Sequence, residues 1–341
     1  MKQYLEKLMN RENLTLEEMK QATAASFSDH ITDSQLASFL TALRAKGETP
    51  EEIAGLASVL RSQSTQTTDM PMRVMDNCGT GGDGSQSFNI STTAAFVLAG
   101  AGVPVAKHGN RSISSNTGSA DVLEHLGISL SFMKEHVEEM LTEASIAFLF
   151  APNVHPGMKR FMGVRKDLGI PTIFNLIGPL TNPVHLDTQF LGVYRRDMLS
   201  LLAQTLHQLG RKRALVINGA DYMDEGSLAG DNHIAMLDNG NVHSFTLHPN
   251  DVNLPVHDND AIKGGDAKDN ARILMDVLSG KQGAYRDTIL FNAGLGLFAN
   301  GTASSVHDGV RIAAESIDSG AAMEKLQKLT EYSKKIAKEA I

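Results

Sequence analysis

The residues Asp76-Asn77-Cys78-Gly79-Thr80-Gly81-Gly82-Asp83-Gly84 are suited to holding an anion. Glycines let the backbone approach a charged ligand closely and aim successive N–H groups at it. A helix is predicted to start near Ile90, and its N-terminus adds partial positive charge. Asn89-Ile90-Ser91-Thr92 bring amide and hydroxyl donors to that terminus, where Asn89 or Ser91 can equally serve as an ordinary N-cap. Gly79, Gly81 and Gly84 also satisfy G-x-G-x-x-G. The dinucleotide fingerprint, however, wants its last glycine inside the helix and an acidic residue about 20 positions on. Here the helix starts later and the next strand ends in Lys107, so the match does not point to a nicotinamide cofactor. The Lys-Ser/Thr pair of a Walker loop is missing as well.

Three further groups carry chemistry. Lys107-His108-Gly109-Asn110-Arg111 runs on through Ser112-Ile113-Ser114-Ser115-Asn116-Thr117-Gly118-Ser119, placing cations and hydroxyls after a second strand. That combination suits several phosphates at once, a solvated polar turn being the plainer alternative. Asp224-Glu225 follows a later strand. Adjacent carboxylates are common on surfaces, but magnesium typically takes one or two carboxylates plus substrate phosphates and water. Ala151-Pro152-Asn153-Val154-His155-Pro156-Gly157-Met158-Lys159-Arg160 opens at another strand end and is followed by Arg165, whose planar guanidinium matches a substrate carboxylate. His155 has a structural or stacking reading beside a catalytic one.

These groups need a scaffold that opens their loops on one edge. Up to about Ser64 the chain reads as helices, with capping boxes at Thr15-Leu16-Glu17-Glu18 and Thr49-Pro50-Glu51-Glu52. A Ser/Thr/Gln-rich linker spans Ser62 to Asp69. Beyond Met70, short apolar runs alternate with helical stretches. The predicted strands are Arg73–Asn77, Val103–Lys107, Ile146–Phe150, Gln189–Tyr194 and Ala214–Asn218, with helices near 90–101, 119–126, 132–144, 157–168 and 197–209. This is the pattern of a mostly parallel sheet flanked by helices, hence an α/β domain. Segments 233–237 and 241–247 flank Asp238-Asn239-Gly240-Asn241 as a hairpin. From about Asp266 the chain is helical again. The expected division is a helical domain over 1–66, with a contribution from about 165–186, and an α/β domain over 70–341.

Composition narrows the function further. With 341 residues the chain can bury a large core, and its net charge of −8 argues against a nucleic-acid partner. In an acidic chain the basic islands at 107–111 and 159–166 suit a small anion. A single cysteine excludes an internal disulfide and fits a reducing, cytoplasmic setting. Cys78 itself reads as a small buried residue. The N-terminus leads into a charged amphipathic helix, and the longest apolar run, Ala94 to Ala106, is too short to span a bilayer, so neither a signal peptide nor a membrane partner is expected.

Together these segments closely resemble the anthranilate phosphoribosyltransferases, over nearly the whole chain. The most specific pieces are Gly79-Thr80-Gly81-Gly82-Asp83, Lys107-His108-Gly109-Asn110-Arg111, Gly118-Ser119-Ala120-Asp121 and Asn175-Leu176-Ile177-Gly178-Pro179-Leu180-Thr181-Asn182-Pro183. The resemblance implies transfer of a phosphoribosyl group from phosphoribosyl pyrophosphate to the amine of anthranilate, in tryptophan biosynthesis. It implies that Gly79, Gly82, Asp83, Ser87 and Asn89, Ile90, Ser91 and Thr92 hold the sugar donor, with Lys107 to Ser115 and Ser119. It implies two magnesium ions on Ser91, Asp224 and Glu225. Anthranilate would meet Gly79, Asn110 and Arg165, with His108, His155 and Met158 as secondary contacts. It further implies a homodimer. No general acid or base is assigned. Ser87 where threonine is common, and Gly157 where alanine is usual, remove no required group. Two readings remain beside this one: a pyrimidine-nucleoside phosphorylase, and a non-catalytic relative that binds nucleic acid.

Overall fold

The computed structural model describes residues 1–65, 68–111 and 117–339. Four helices open the chain: α1 (Lys2–Met9), α2 (Leu16–Ser26), α3 (Asp33–Lys46) and α4 (Pro50–Ser62). Both expected capping boxes form, at Thr15/Glu18 and Thr49/Glu52, and a third at Thr32/Gln35 starts α3. Each threonine oxygen accepts an N–H that the first helical turn leaves without an internal partner. Glu52 is fully buried, yet it bonds the Leu14 and Thr49 N–H groups and the Lys46 ammonium. Its charge is thus paired and bonded.

The α/β part follows as β1 (Met75–Asp76), α5 (Ile90–Gly100), β2 (Val105–Gly109), α6 (Ser119–His125), α7 (Lys134–Glu143) and β3 (Ile146–Phe150). Next come α8 (Ala151–Val154), α9 (Lys159–Leu168), α10 (Phe174–Ile177), β4 (Thr188–Gly192), α11 (Leu199–Gln208) and β5 (Arg213–Asn218). The hairpin β6 (Asn232–Asp238) and β7 (Asn241–Leu247) precedes α12 (Ala267–Leu278), α13 (Ala284–Asn300), α14 (Val306–Asp318) and α15 (Ala321–Glu339). Among the described residues one sheet forms, in the order β3-β2-β1-β4-β5-β6-β7. β1 to β5 are parallel and β6 and β7 antiparallel. The hairpin turns at Asn239 and Gly240, both with positive φ, as a turn matching the strands' twist requires.

Side-chain alternation sorts the two faces. Leu191, Val193, Ala214, Val216, Ala235 and Leu237 point to one side and meet α11 and the N-terminal helices in one core. Phe161, Val164, Ile173, Phe174, Leu176, Ile177 and Leu180 join that same core. Phe190, Leu215, Ile217, Ile234 and Met236 point to the other side, against α5 and α13 to α15.

Three strands depart from their expected limits, β4 ending at Gly192 and not Tyr194. β1 is only Met75 and Asp76, the two positions that pair with β4, and only Met75 also pairs with β2. β2 runs on past Lys107 to Gly109, because it pairs with β3 up to Gly109–Phe150. Lys107, His108 and Gly109 are therefore strand residues, and the loop begins at Asn110. A Cβ at Gly109 would fall 2.3 Å from Ser119 Oγ and 2.6 Å from the Phe148 ring, so β2 and α6 meet there only across a glycine.

Candidate active site

β1 lies where the strand order reverses: the chain goes from β1 to β2 on one side and later enters β4 on the other. Ligands in open parallel sheets sit outside the carboxyl ends at such a point. The residues after β1, β2, β4 and β5 meet at that edge.

The glycine loop folds back on Asp224. Gly81 N–H donates to Asp224 Oδ2 at 2.6 Å, and the Asp224 N–H donates to Asp83 Oδ2 at 3.2 Å. Gly81, Gly82 and Gly84 have positive φ, the conformation glycine alone adopts cheaply. Gly79 is glycine for a different reason: a Cβ there would sit 2.7 Å from Asp224 Oδ2. Ser87 pairs with Lys263 in an isolated antiparallel bridge.

Lys107 is buried beneath this loop. Its ammonium donates to Ser91 Oγ at 3.1 Å and to Asn77 O at 3.5 Å. Ser91 also bonds Glu225 through its hydroxyl and its backbone. Burial pushes the Glu225 carboxyl up to about 7; Asp83 adds repulsion, while Lys107 and the Ser91 bonds pull the other way. The Asp224 carboxyl rises well above the ordinary range, from burial and from the repulsion of Asp83 and Glu225. Asp83, Asp224 and Glu225 thus crowd one another, with Lys107 drawing on Glu225.

That excess of negative charge fits a divalent cation. Ser91, Asp224 and Glu225 offer the hard oxygen donors it prefers. Among the described residues no cluster of three or more histidine, cysteine or acidic ligands forms a closed metal cage. A cation held here would need oxygens from its ligand. Buried atoms without a partner among the described residues gather in the same region: Asn77 Oδ1, Thr80 Oγ1, Thr92 Oγ1 and His108 Nε2.

Asn89 stands at the N-cap of α5 but makes no cap bond. Its Nδ2 donates to Thr117 O at 3.3 Å, and its Oδ1 accepts from Asn270 at 2.9 Å. The Ile90 and Thr92 side chains are buried, and Ser91 Oγ stands beside Lys107 at the start of α5. Ser119 Oγ donates to Asn110 O. Arg111 reaches Asp121 and Glu124 at 2.6 and 2.7 Å and so turns toward α6. Ser112, Ile113, Ser114, Ser115 and Asn116 lie outside the described residues.

The two basic islands divide in their roles. Arg160 binds Asp33 and the carbonyls of Ser26, Ser28 and Ile31, so it pins the turn between α2 and α3 rather than awaiting an anion. Half-buried Arg165 lies 5.4 Å over the Phe174 ring and touches Met162 Sδ; among the described residues it has no carboxylate partner. A planar cation held by an aromatic face is ready for a carboxylate.

Two family models match the chain: "Glycosyl transferase family, helical bundle domain" over residues 2–64 and "Glycosyl transferase family, a/b domain" over residues 72–323. An anthranilate phosphoribosyltransferase of Exiguobacterium sibiricum is 58% identical over 329 residues, covering 96% of this chain and 97% of the relative. The chain belongs to the anthranilate phosphoribosyltransferase family. The enzyme of that name from Oceanobacillus iheyensis is 55% identical over 99% of both chains. The crystal structure of the Thermus thermophilus anthranilate phosphoribosyltransferase superimposes with a TM-score of 0.91 at 37% identity, covering 97% of this chain and 99% of that one. The Saccharomyces cerevisiae enzyme, solved in complex with PRPP and Mg, gives 0.88 at 29% identity over 98% and 97%.

Several residues of the motifs turn out to hold the site's frame. Asp76 is fully buried and its carboxylate accepts from the His108 N–H, Asn182 Nδ2 and the Cys78 thiol. Asn182 also donates to Ala106 O, so β1 and β2 are tied together directly below Lys107. Burial, with Asp76 alongside, pushes the Cys78 thiol up, which makes it inert. His108 Nδ1 donates to Gly178 O and His155 Nε2 to Thr181 O, the rings meeting edge to face at 5.5 Å. Burial lowers both, His108 to about 3, so these members of the family motifs are neutral props for the 178–181 loop.

The Glu225 shift has a consequence for pH. A metal binds the carboxylate, not the acid. Below about 7 the proton competes and above it the group is free. Divalent-cation affinity is therefore expected to fall about tenfold per pH unit for each proton displaced, as pH drops below 7. Calorimetric titration of magnesium with pyrophosphate at pH 6 and 8 checks this; equal affinities would remove Glu225 from the site.

Proposed function

We propose that the chain transfers the phosphoribosyl group of 5-phosphoribosyl 1-pyrophosphate to the amine of anthranilate, giving N-(5-phosphoribosyl)anthranilate and pyrophosphate. The observation that carries this is the joining of Asp224-Glu225 to both the glycine loop, at Gly81, and the head of α5, at Ser91. Gly79, Gly82, Asp83, Ser87 and the backbone of Asn89 to Thr92 take the sugar donor, with Lys107 to Ser115 and Ser119 completing its site. Ser91, Asp224 and Glu225 hold magnesium, two ions per site. Bound there, the metal supplies positive charge to the departing pyrophosphate.

The chain's own part is orientation and electrostatics. Lys107 and the N-terminus of α5 bring positive charge to the phosphates. The carbon–oxygen bond to pyrophosphate breaks as the amine nitrogen bonds to the same anomeric carbon. Gly79 has no side chain to block that meeting, and Asn110 lines it. Arg165 pairs with the anthranilate carboxylate and fixes the amine's direction. The secondary aryl ammonium formed is acidic enough to shed its proton without a dedicated base.

The enzyme works in the cytoplasm as a homodimer, and residues 1–66 with about 165–186 form its helical domain beside the α/β domain of 70–341. Loss of anthranilate fluorescence with phosphoribosyl pyrophosphate and magnesium tests the reading. No loss with folded protein overturns it. Phosphate-dependent cleavage of a pyrimidine nucleoside would favour a phosphorylase, and salt-sensitive binding of nucleic acid would favour a non-catalytic relative. Arg165→Ala is expected to raise the KM for anthranilate about tenfold or more, the scale of a lost charged hydrogen bond, with a far smaller change for the sugar donor. Equal changes in both constants would take Arg165 away from the acceptor.

A further inference from the structure

The segment Lys263-Gly264-Gly265-Asp266 and the start of α12 lie far along the chain from both phosphate loops, yet they bind both. Gly264 N–H donates to Gln86 O, and Phe88 N–H to Ile262 O. Tyr285 holds the segment from outside, through its hydroxyl to Lys263 O at 2.8 Å and its ring against Phe88 at 5.0 Å. Inside, four hydrogen bonds close a ring: Asn89 Nδ2 to Thr117 O, Thr117 Oγ1 to Gly265 O, Gly265 N–H to Asn270 Oδ1, and Asn270 Nδ2 to Asn89 Oδ1. Asn270 is 2% exposed, and a Cβ on Gly264 would stand 2.6 Å from its Oδ1, so the glycine makes room for it.

We propose that Asn270 is a positioning residue for phosphoribosyl pyrophosphate, acting through Asn89; this rests on the substrate reading above. Asparagine at an N-cap ordinarily turns its oxygen onto the free N–H groups of its own helix. Asn89 does not, because Asn270 claims that oxygen and Thr117 claims the amide. The Ile90 N–H is held by Phe88 O and the Ser91 N–H by Glu225, so the donor that Asn89 leaves uncapped, and keeps for a phosphate, is the Thr92 N–H. The same ring sets the spacing between the head of α5 and the loop that enters α6. Without Asn270, Asn89 Oδ1 is free to cap α5 and to compete with the ligand for the Thr92 N–H.

The test is calorimetry of phosphoribosyl pyrophosphate with magnesium, alongside steady-state kinetics. Asn270→Ala is expected to raise the Kd and the KM for the sugar donor about tenfold, the scale of one lost hydrogen bond, while the KM for anthranilate stays within about twofold. In an Asn89→Ala background, adding Asn270→Ala should do little more, because the mediator is already gone. Asn270→Asp keeps the oxygen that takes the Gly265 N–H and loses only the donor to Asn89; it should show the same selectivity, and it carries the test if Asn270→Ala does not fold. An unchanged Kd in the folded variants overturns the proposal, as does an undiminished effect of Asn270→Ala in the Asn89→Ala background. Failure of the substrate reading would look different: the unsubstituted protein itself would fail to bind the sugar donor, or would bind it and leave anthranilate unconsumed.

Discussion

Asp224→Asn combined with Glu225→Gln is expected to leave a well-folded protein whose turnover has dropped by about a thousandfold or more, with no response to added magnesium. The same protein should be more stable than its parent. Glu225 is pushed up from an ordinary 4.5 to about 7 and Asp224 rises too, so the fold disfavours both charges. A group whose folded pKa is raised stabilises the protein below its unfolded pKa, and that contribution is lost as pH rises through the folded value. At pH 8 the parent therefore carries the full penalty, on the order of 3 kcal/mol for Glu225 alone. At pH 5 Glu225 is already protonated, and little is left to relieve. Amide replacements cannot ionise. Without metal, the unfolding midpoint of the double variant should exceed the parent's by several degrees at pH 8 and by much less at pH 5. Differential scanning calorimetry at the two pH values, with and without magnesium, reads both effects. A variant equally destabilised at both pH values would show that the carboxylates serve the fold and not the ligand.

The same contrast explains which parts of the site were legible in the sequence. Loops that must hold anions advertise themselves locally: glycines without side chains at 79–84, cations and hydroxyls at 107–119, each between a strand and a helix. The fold class followed from alternating apolar runs, and the sheet bears it out. The Thr32-Gln35 capping box has the same spacing signal. Other features had no local signal. Asp76, Asn182 and Asn89 sit inside motif segments, but that Asp76 meets Asn182 across 106 positions and Asn89 meets Asn270 across 181 is written in neither partner's segment. Arg160 and Arg165 share one helix and one charge; only the carbonyls around the first and the Phe174 ring beside the second separate a structural arginine from an available one. Strand ends also escaped, because β1 is defined by its two neighbours and not by its own residues.

Gly192→Ala should damage the enzyme as severely as loss of a ligand, though it removes no functional group. A Cβ at Gly192 would lie 1.6 Å from the Asp224 carbonyl oxygen and 2.5 Å from its carbon. Cβ contacts in proteins essentially never fall below 3.0 Å, so the Asp224 backbone must retreat by at least 1.4 Å or β4 must bend. Neither move is isolated. Gly192 O accepts the Thr80 N–H at 2.9 Å, and Asp224 accepts the Gly81 N–H, so the glycine loop moves with whichever gives way. On the other flank, a Cβ at Gly219 would meet Glu225 O at 2.3 Å. The carboxylate pair is thus wedged between two strand-end glycines, β4 on one side and β5 on the other. Displacements near 1 Å can cost about a hundredfold in rate, and overpacking costs about 1–3 kcal/mol. The expected result is a fall in kcat/KM of about a hundredfold or more, with magnesium dependence shifted to higher concentration and modest loss of stability. Gly84→Ala is the control: nothing stands within 4 Å of a Cβ there, and only the positive φ opposes it, at about 1–2 kcal/mol. If Gly192→Ala kept its parent's magnesium dependence while Gly84→Ala lost it, the site would be held by loop conformation and not by the backbone contact between β4 and Asp224.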